Sequence, residues 1–196
     1  MPGPFWHLML DRLNGSEIRT KRLKLRPLTS ADAPRIAEIG GDWDIASMTS
    51  RMPYPYSLAA ASQWISGIDD NEVVRGITLD GVLIGVTGYL PDESGDSAEI
   101  GYWLGKDFWG QGFATEAVAA LIAYCFRRER FTRLTCGHYM DNPASARVIR
   151  KLGFQPSGEG KYWCEARRRD VEALRYELKR PQPVWRRIST RRAKAA

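Results

Sequence analysis

Alternating apolar and polar residues, together with turn signals, mark the strands of this chain. Residues 20–28 alternate leucine with basic residues, which predicts a strand with one solvent-exposed face. Two β-rich runs within residues 73–90 flank the dipeptide Asp80-Gly81, which is typical of a tight hairpin turn. Further strands are predicted at residues 98–104, 133–140, 154–166 and 171–179.

Capping residues indicate where the first helices begin. Ser30 and Asp32 can cap a short helix that reaches Ile39, because their side chains accept hydrogen bonds from the free N–H groups of a first helical turn. Ser57 can cap a second helix over residues 58–68 in the same way.

Two more helices follow later in the chain. A helical pattern covers residues 113–129, and Asn142-Pro143 begins a helix that Gly153 terminates. The resulting order is β-α-α-β-β-β-α-β-α-β-β, with an antiparallel first part and a β-α-β crossover near its end. We therefore expect a single α+β (mixed α/β) domain, with a mixed central sheet and helices on both faces.

Positive charge is concentrated at the C-terminus. The 196 residues include 29 Lys and Arg against 23 Asp and Glu, a net charge of +6. Six basic residues and no acidic one lie between Arg180 and the end, so the rest of the chain is formally neutral. A neutral body argues against a large nucleic-acid-binding surface on the domain itself. We expect an N-terminal arm over 1–17, a domain over 18–180 and a basic, flexible tail over 181–196.

Cysteine and histidine content bears on the compartment and on metals. Three cysteines without a C-x-x-C pair suggest reduced thiols, which favours a cytoplasmic protein. His7 and His138 are far apart and no H-E-x-x-H motif occurs, so no metal site is expected. The longest apolar run, 117–126, is shorter than the roughly 20 residues of a membrane-spanning helix. No membrane association is therefore expected.

A glycine-containing segment joins the strand at 98–104 to the helix at 113–129. Gly110 and Gly112 leave backbone N–H groups accessible at the helix N-terminus, where the helix dipole favours a phosphate. No lysine follows them, so the segment is not a nucleotide-triphosphate loop. It carries only part of a dinucleotide-binding fingerprint, and the strand before it is too polar for that fold. A phosphate loop and a simple glycine turn both remain compatible with the sequence.

Three strings occur in the order and separation of one enzyme family: AEIGYWL at 98–104, WGQGFATEA at 109–117 and DNPASARVIRKLGF at 141–154. Residues 18–180 resemble the GNAT superfamily of acyl-CoA-dependent N-acyltransferases, closest to the branch of the ribosomal-protein alanine N-acetyltransferases. The resemblance implies acetyl-CoA as cosubstrate and direct acetyl transfer to a primary amine of a protein N-terminus or a small molecule. The alternatives are a non-catalytic acyl-CoA-binding domain and a module that binds RNA or the ribosome through the basic tail.

The resemblance also implies where coenzyme A lies. Its pyrophosphate would contact the helix N-terminus, and its pantetheine arm would run along a strand opposite Asn142 and Ser145. Trp109 departs from the family, which usually has Arg or Gln at this position. The implied cofactor residues are Tyr102, Trp103, Leu104, Gly110, Gln111, Gly112, Phe113, Ala114, Thr115, Asn142 and Ser145.

Direct transfer needs a base for the amine and stabilisation of the departing thiolate, but no covalent nucleophile. Glu99 is the first candidate for the base, with a strand-edge salt bridge as the alternative interpretation. Glu165 is the second candidate, because related enzymes carry a Glu in that region. Many family members carry a tyrosine acid where this chain has Ile149. Ser145 could take that role, or could only satisfy backbone groups of its helix.

The acceptor and partners are less marked in the sequence. Trp43, Tyr54 and Tyr56 fall between the first two helices, where this fold usually holds the acceptor, and His138 ends a nearby strand. Each of these side chains could instead pack in the structure. The basic tail could contact a ribosomal protein or RNA, and a monomer and a homodimer are both compatible with the sequence.

Overall fold

The computed structural model describes residues 17–181 of the chain. The strands are β1 (Ile18–Arg19), β2 (Leu23–Arg26), β3 (Val73–Leu79), β4 (Val82–Pro91), β5 (Ser97–Leu104), β6 (Arg133–Tyr139), β7 (Gln155–Cys164) and β8 (Arg169–Lys179). The α-helices are α1 (Ala33–Gly40), α2 (Trp43–Ala46), α3 (Leu58–Ser66), α4 (Phe113–Tyr124) and α5 (Pro143–Lys151). The predicted arm and tail lie outside the described residues, apart from residues 17 and 181.

The strands form one mixed sheet in the order β1-β2-β3-β4-β5-β6-β8-β7. Neighbouring strands are antiparallel, apart from the central pair β5 and β6. That parallel ladder is short, running only from Ser97 opposite Arg133 to Glu99 opposite Thr135. Beyond Glu99 the two strands continue without pairing to each other, so the sheet splits in its middle.

Helices cover both faces of the sheet, as predicted. On one face, Ile36 of α1 belongs to an apolar cluster with Val74 and Val86. On the other face, Leu121 of α4 packs in a cluster with Ile149 of α5 and strand residues of β5 and β6. None of the helices in residues 17–181 is long and apolar enough to cross a membrane.

Two of the predicted start and turn signals are confirmed, at Ser57 and at Asp80-Gly81. The predicted side-chain caps of α1 are not: Thr29 is the N-cap of the 3₁₀ turn that leads into this helix, and Asp32 accepts a hydrogen bond from the Thr29 N–H over 2.8 Å. Ser57 accepts a hydrogen bond from the Ala60 N–H at the start of α3. Asp80 and Gly81 have φ angles of 49° and 83°, the left-handed conformation that a tight hairpin turn requires.

Two predicted elements differ in the structure. Residues 20–28 do not form one strand: a turn precedes β2, which begins only at Leu23, because the Thr20 hydroxyl accepts a hydrogen bond from the Leu23 N–H (2.9 Å) and the Thr20 N–H donates to the Leu23 carbonyl (2.9 Å). Such local side-chain bonds compete with a strand ladder. The long helix at 113–129 is regular only to Tyr124, and residues 125–129 widen into a π-helical turn.

The segment that contains α2 spans the open end of the split. On the β5 side, the ammonium of Lys106 bonds to the carboxylate of Asp44 in α2. On the β6 side, Arg167 of the β7–β8 turn donates to the Ser47 carbonyl over 2.7 Å and to the Asp141 carboxylate over 2.6 Å. The split is therefore closed at one end by the parallel ladder and at the other by these polar contacts.

Candidate functional site

A cavity of about 1060 Å³ occupies the split between β5 and β6. Every residue of β5 from Glu99 to Leu104 lines it, and so do Gly137, His138 and Tyr139 at the end of β6. Further walls come from the loop before α4, the first turns of α5 and the segment between α2 and α3. The cavity therefore joins the glycine loop, the unpaired edge of β5 and the Asn142 region in one space.

The glycine loop presents free backbone donors to this cavity. Gly110 and Gly112 have φ angles of 75° and 82°, which side chains rarely adopt. Gly112 is the N-cap of α4, and within residues 17–181 no side-chain cap bonds to the N–H groups of the first turn. Phe113, Ala114 and Thr115 of that turn line the cavity. This arrangement suits an anion, because the helix dipole adds to the unsatisfied donors.

Arg22 anchors the glycine loop from the turn before β2, a contact that the sequence did not indicate. Its Nη1 donates to the Gln111 carbonyl over 3.1 Å and its Nε to the Glu116 carboxylate over 2.7 Å. Its guanidinium also lies 4.3 Å from the centroid of the Phe113 ring. Burial acts to raise the pKa of Glu116, but hydrogen bonds from Thr20 and Arg22 lower it below its usual value. Arg22 and Glu116 are 94 residues apart, so no local spacing could have predicted the pair.

Trp109 and Gln111 serve the loop itself. The Trp109 indole N–H donates to the Leu104 carbonyl over 2.8 Å and so occupies the last carbonyl of β5. The Gln111 side chain turns away to the Asp107 carbonyl and does not line the cavity. The departure from the family at Trp109 therefore has a structural explanation: the indole holds the loop against the end of the strand.

Ser145 and Asn142 form the opposite wall at the start of α5. The Asn142 side chain accepts a hydrogen bond from the Ser145 N–H over 3.0 Å, which confirms the predicted cap. The Ser145 Oγ lies 2.8 Å from the Oη of Tyr102 on β5. Burial raises the pKa of Tyr102 well above its usual value, so its phenol stays protonated.

Glu99 lies at the far end of the cavity and is exposed to it. Its carboxylate forms no ion pair with any residue between 17 and 181. Arg51 and Glu72 pair with each other beside it and also line the cavity. Hydrogen bonding to Glu72 raises the pKa of Arg51, burial opposes the shift, and the charges of Glu72 and then Glu99 add to it. Glu99 thus faces the cavity with an unpaired carboxylate.

Glu165 does not line the cavity. Its carboxylate accepts a hydrogen bond from the Trp163 indole over 2.8 Å, and its N–H donates to the Ser50 carbonyl over 2.9 Å. Cys164 beside it is fully buried. The structure therefore brings Glu99, but not Glu165, into the same space as Ser145.

The four predicted acceptor residues separate into two pairs. Tyr56 and His138 line the cavity. Both ring nitrogens of His138 already have partners, the Tyr139 carbonyl at 2.7 Å and the Tyr176 hydroxyl at 3.2 Å. Trp43 and Tyr54 do not line the cavity; they pack edge to face, with ring centroids 5.0 Å apart, and remain exposed.

No cluster of three or more potential metal ligands occurs in residues 17–181. The site is built instead from backbone donors, hydroxyl groups and carboxylates. Such a set can bind an anionic cofactor, orient a second substrate and move protons.

Comparison with known proteins gives consistent matches. The family described as acetyltransferase (GNAT) domain matches residues 22–155. The uncharacterized N-acetyltransferase YjdG of Bacillus subtilis (strain 168) is 31% identical over 163 residues, which cover 74% of this chain and 95% of YjdG.

Solved structures agree in fold. RimL, a ribosomal L7/L12 alpha-N-protein acetyltransferase in complex with coenzyme A, has a TM-score of 0.74 at 20% identity and covers 84% of this chain and 98% of its own. The microcin C7 self-immunity acetyltransferase MccE, in complex with acetyl-CoA and AMP, has a TM-score of 0.74 at 17% identity and covers 82% and 94%.

Proposed function

This chain belongs to the GNAT family of acetyltransferases, and from that premise we propose that it moves the acetyl group of acetyl-CoA directly to a primary amine in the split of its sheet. The observation that carries the proposal is the single cavity that joins the glycine loop, the unpaired edge of β5, Ser145 and Glu99. A ternary complex needs both substrates in one space, and this cavity provides it.

Acetyl-CoA would enter with its pyrophosphate at the N-terminus of α4. Backbone N–H groups from Gly110 to Thr115 would hold the phosphates, and Arg22 would keep the loop in place from behind. The pantetheine arm would lie along the β6-facing edge of β5 at Tyr102–Leu104, because the ladder between β5 and β6 ends at Glu99. Asn142 and Ser145 would contact it from the other wall. Complexes of RimL with coenzyme A and of MccE with acetyl-CoA support this choice of cosubstrate.

The amine must lose a proton before or during attack, because a free alkylamine has a pKa of about 10.4 and a protein α-amino group one of about 8. We propose that Glu99 accepts this proton, directly or through water, since its carboxylate is exposed in the cavity and unpaired. Glu165 stays the second candidate, with a carboxylate that is bonded to Trp163 outside the cavity. When the C–S bond breaks, the Ser145 hydroxyl would donate a hydrogen bond to the thiolate of coenzyme A.

The acceptor is a primary amine of a protein N-terminus or of a small molecule. The fold shared with RimL, which acts on a ribosomal protein, supports a protein acceptor. The amine would approach at the Glu99 end, where Glu72 and Arg51 line the wall. A contact of the basic tail with a ribosomal protein or RNA, and a cytoplasmic location, complete the proposal as predictions from the sequence.

The test measures thiol release from acetyl-CoA across a panel of amines as a function of pH. Glu99→Gln keeps the shape of the side chain and removes the base, so kcat/KM should fall about 10²-fold at neutral pH, the low end for positioned proton transfer. The loss should shrink as pH rises, because the amine then loses its proton to solvent.

Glu165→Gln is the matched control, since it makes the same change in a carboxylate outside the cavity. It should leave the pH profile unchanged. If Glu165→Gln alters the profile and Glu99→Gln does not, the base is Glu165. If wild-type protein releases no thiol with any amine, the proposed function is wrong.

A further inference from the structure

A tyrosine hydroxyl reaches Ser145 across the split in the sheet. Tyr102 lies on β5 and Ser145 on α5, and their Oη and Oγ atoms are 2.8 Å apart. The Ser145 carbonyl is a longer contact of the same phenol, at 3.4 Å. Both residues line the cavity, so the pair stands where the thioester would lie in the proposed function.

The protonation state of Tyr102 decides what this pair can do. Because burial keeps the phenol protonated, it always has a proton to donate. If the phenol donates to Ser145 Oγ, the serine's own proton cannot lie along that line and must point elsewhere. The backbone of Ser145 is held as well, since its N–H is bonded to Asn142.

We infer that Tyr102 is a positioning residue, whose phenol donates to Ser145 and thereby turns the serine hydroxyl proton toward the sulfur of departing coenzyme A. The inference rests on the proposed function. As the amine nitrogen bonds to the acetyl carbon and the C–S bond breaks, the electron pair goes to sulfur. The serine hydroxyl stabilises that thiolate by a hydrogen bond, and solvent protonates it later. Tyr102 and Ser145 each keep their own proton through the step.

The residues of α5 itself offer no phenol to Ser145, so the hydroxyl that contacts it comes from Tyr102 on β5. Ile149, one turn after Ser145, is fully buried in the core and has no polar group. A phenol on β5 can reach the same wall because β5 and β6 separate after Glu99 and leave the edge of β5 open. The short parallel ladder is therefore what allows Tyr102 to contact α5.

Tyr102→Phe tests the inference because it removes one oxygen and keeps the ring. Loss of one oriented hydrogen bond should lower kcat about three- to tenfold, with KM for acetyl-CoA and its Kd within about twofold, since neither involves the thiolate. In a Ser145→Ala background the same change should lower kcat no further, because the hydroxyl that Tyr102 orients is already gone. A merely structural role would instead give multiplying losses and a raised KM.

Thr78→Val is the matched control. The Thr78 hydroxyl is also buried and donates to a carbonyl, that of Lys24, over 3.0 Å, but it lies outside the cavity. Its loss should lower the Tm and leave kcat at the wild-type value. An unchanged kcat in Tyr102→Phe, or losses that multiply in the double variant, overturn the inference while the proposed function stands. A wild-type protein without thiol release overturns both.

Discussion

Gly112→Asp tests the phosphate loop most directly. A Cβ at Gly112 would contact only Arg22 Nη2, at 3.6 Å, so there is space for a side chain. The substitution is unfavourable because of the φ angle of 82°. A side chain in this left-handed conformation costs roughly 1–2 kcal/mol, part of which an aspartate recovers as an N-cap. A chain of this size loses about 2–4 °C of Tm per kcal/mol. The free variant should therefore still fold, with a Tm only a few degrees lower.

The effect on acetyl-CoA is much larger. Ligand at 100 times its Kd stabilises a protein by about 2.7 kcal/mol, which is a Tm rise of roughly 5–11 °C here. A carboxylate about 4 Å from one phosphate charge repels it by about 4 kcal/mol at an effective dielectric constant of 20. The aspartate side chain would also accept hydrogen bonds from the first-turn N–H groups that would otherwise bind the phosphate. Gly112→Asp should abolish the acetyl-CoA-dependent rise in Tm, as measured by differential scanning fluorimetry.

Gly95→Asp is the matched control for backbone strain. Gly95 has a φ angle of 72°, a Cβ there would meet nothing within 4 Å, and the residue does not line the cavity. Its variant should lose a similar few degrees of Tm in the free state and keep the full rise with acetyl-CoA. An equal rise in both variants would refute the assignment of the phosphates to this loop.

Three further variants test other contacts. Arg22→Ala should raise the Kd for acetyl-CoA, measured by titration calorimetry, about three- to tenfold, because the loop loses its anchor and must be ordered on binding. The same variant should lose at most about 1 kcal/mol of stability, since its bond to Glu116 is exposed. Asp32→Asn should lower the Tm at pH 7: hydrogen bonding to Arg26 lowers the pKa of folded Asp32, so its stabilisation is present above the unfolded pKa of about 3.9 and is lost as pH falls through the folded value. The difference between variant and wild type should therefore vanish in acid; a constant difference down to about pH 2 contradicts the pairing. Asn142→Ala should lower the free energy of unfolding by about 0.5–2 kcal/mol in denaturant titrations, through loss of the cap.

The sequence predicts caps and turns, which a residue determines through backbone groups a few positions away along the chain. Asn142 caps α5, and Asp80-Gly81 turns the hairpin, because each acts on backbone two or three residues away. Most of the order of helices and strands follows from the same local signals, but the two-residue strand β1 and the short helix α2 were not predicted. Even so, the local bonds of Thr20 were missed, since alternation of leucine and basic residues alone predicted an uninterrupted strand.

The part of the site that the sequence could not predict depends on contacts between distant elements. Tyr102 was predicted only as a cofactor-binding residue, because nothing in its own strand shows that its hydroxyl contacts α5. Trp43 and Tyr56 look alike as aromatic residues between two helices, yet only Tyr56 lines the cavity. The direction of a side chain in a loop is set by tertiary packing, which residue type does not encode.

The contacts that close the two ends of the split differ in their sensitivity to salt. Three residue pairs of the parallel ladder join β5 and β6 at one end of the split. At the other end, the α2 segment bonds to both halves of the sheet. The two contacts of this segment differ in exposure. In the contact on the β5 side, Lys106 and Asp44 are both about half exposed, whereas on the β6 side the Arg167 side chain is 9% exposed. Salt screens exposed charges first. Salt should therefore weaken the Lys106–Asp44 contact first. Ile45 and Ala46 of α2 also pack in the apolar cluster with Val74 of β3 and Val86 of β4. The α2 segment should therefore stay with the half of the sheet that contains β5 even when this exposed ion pair is screened.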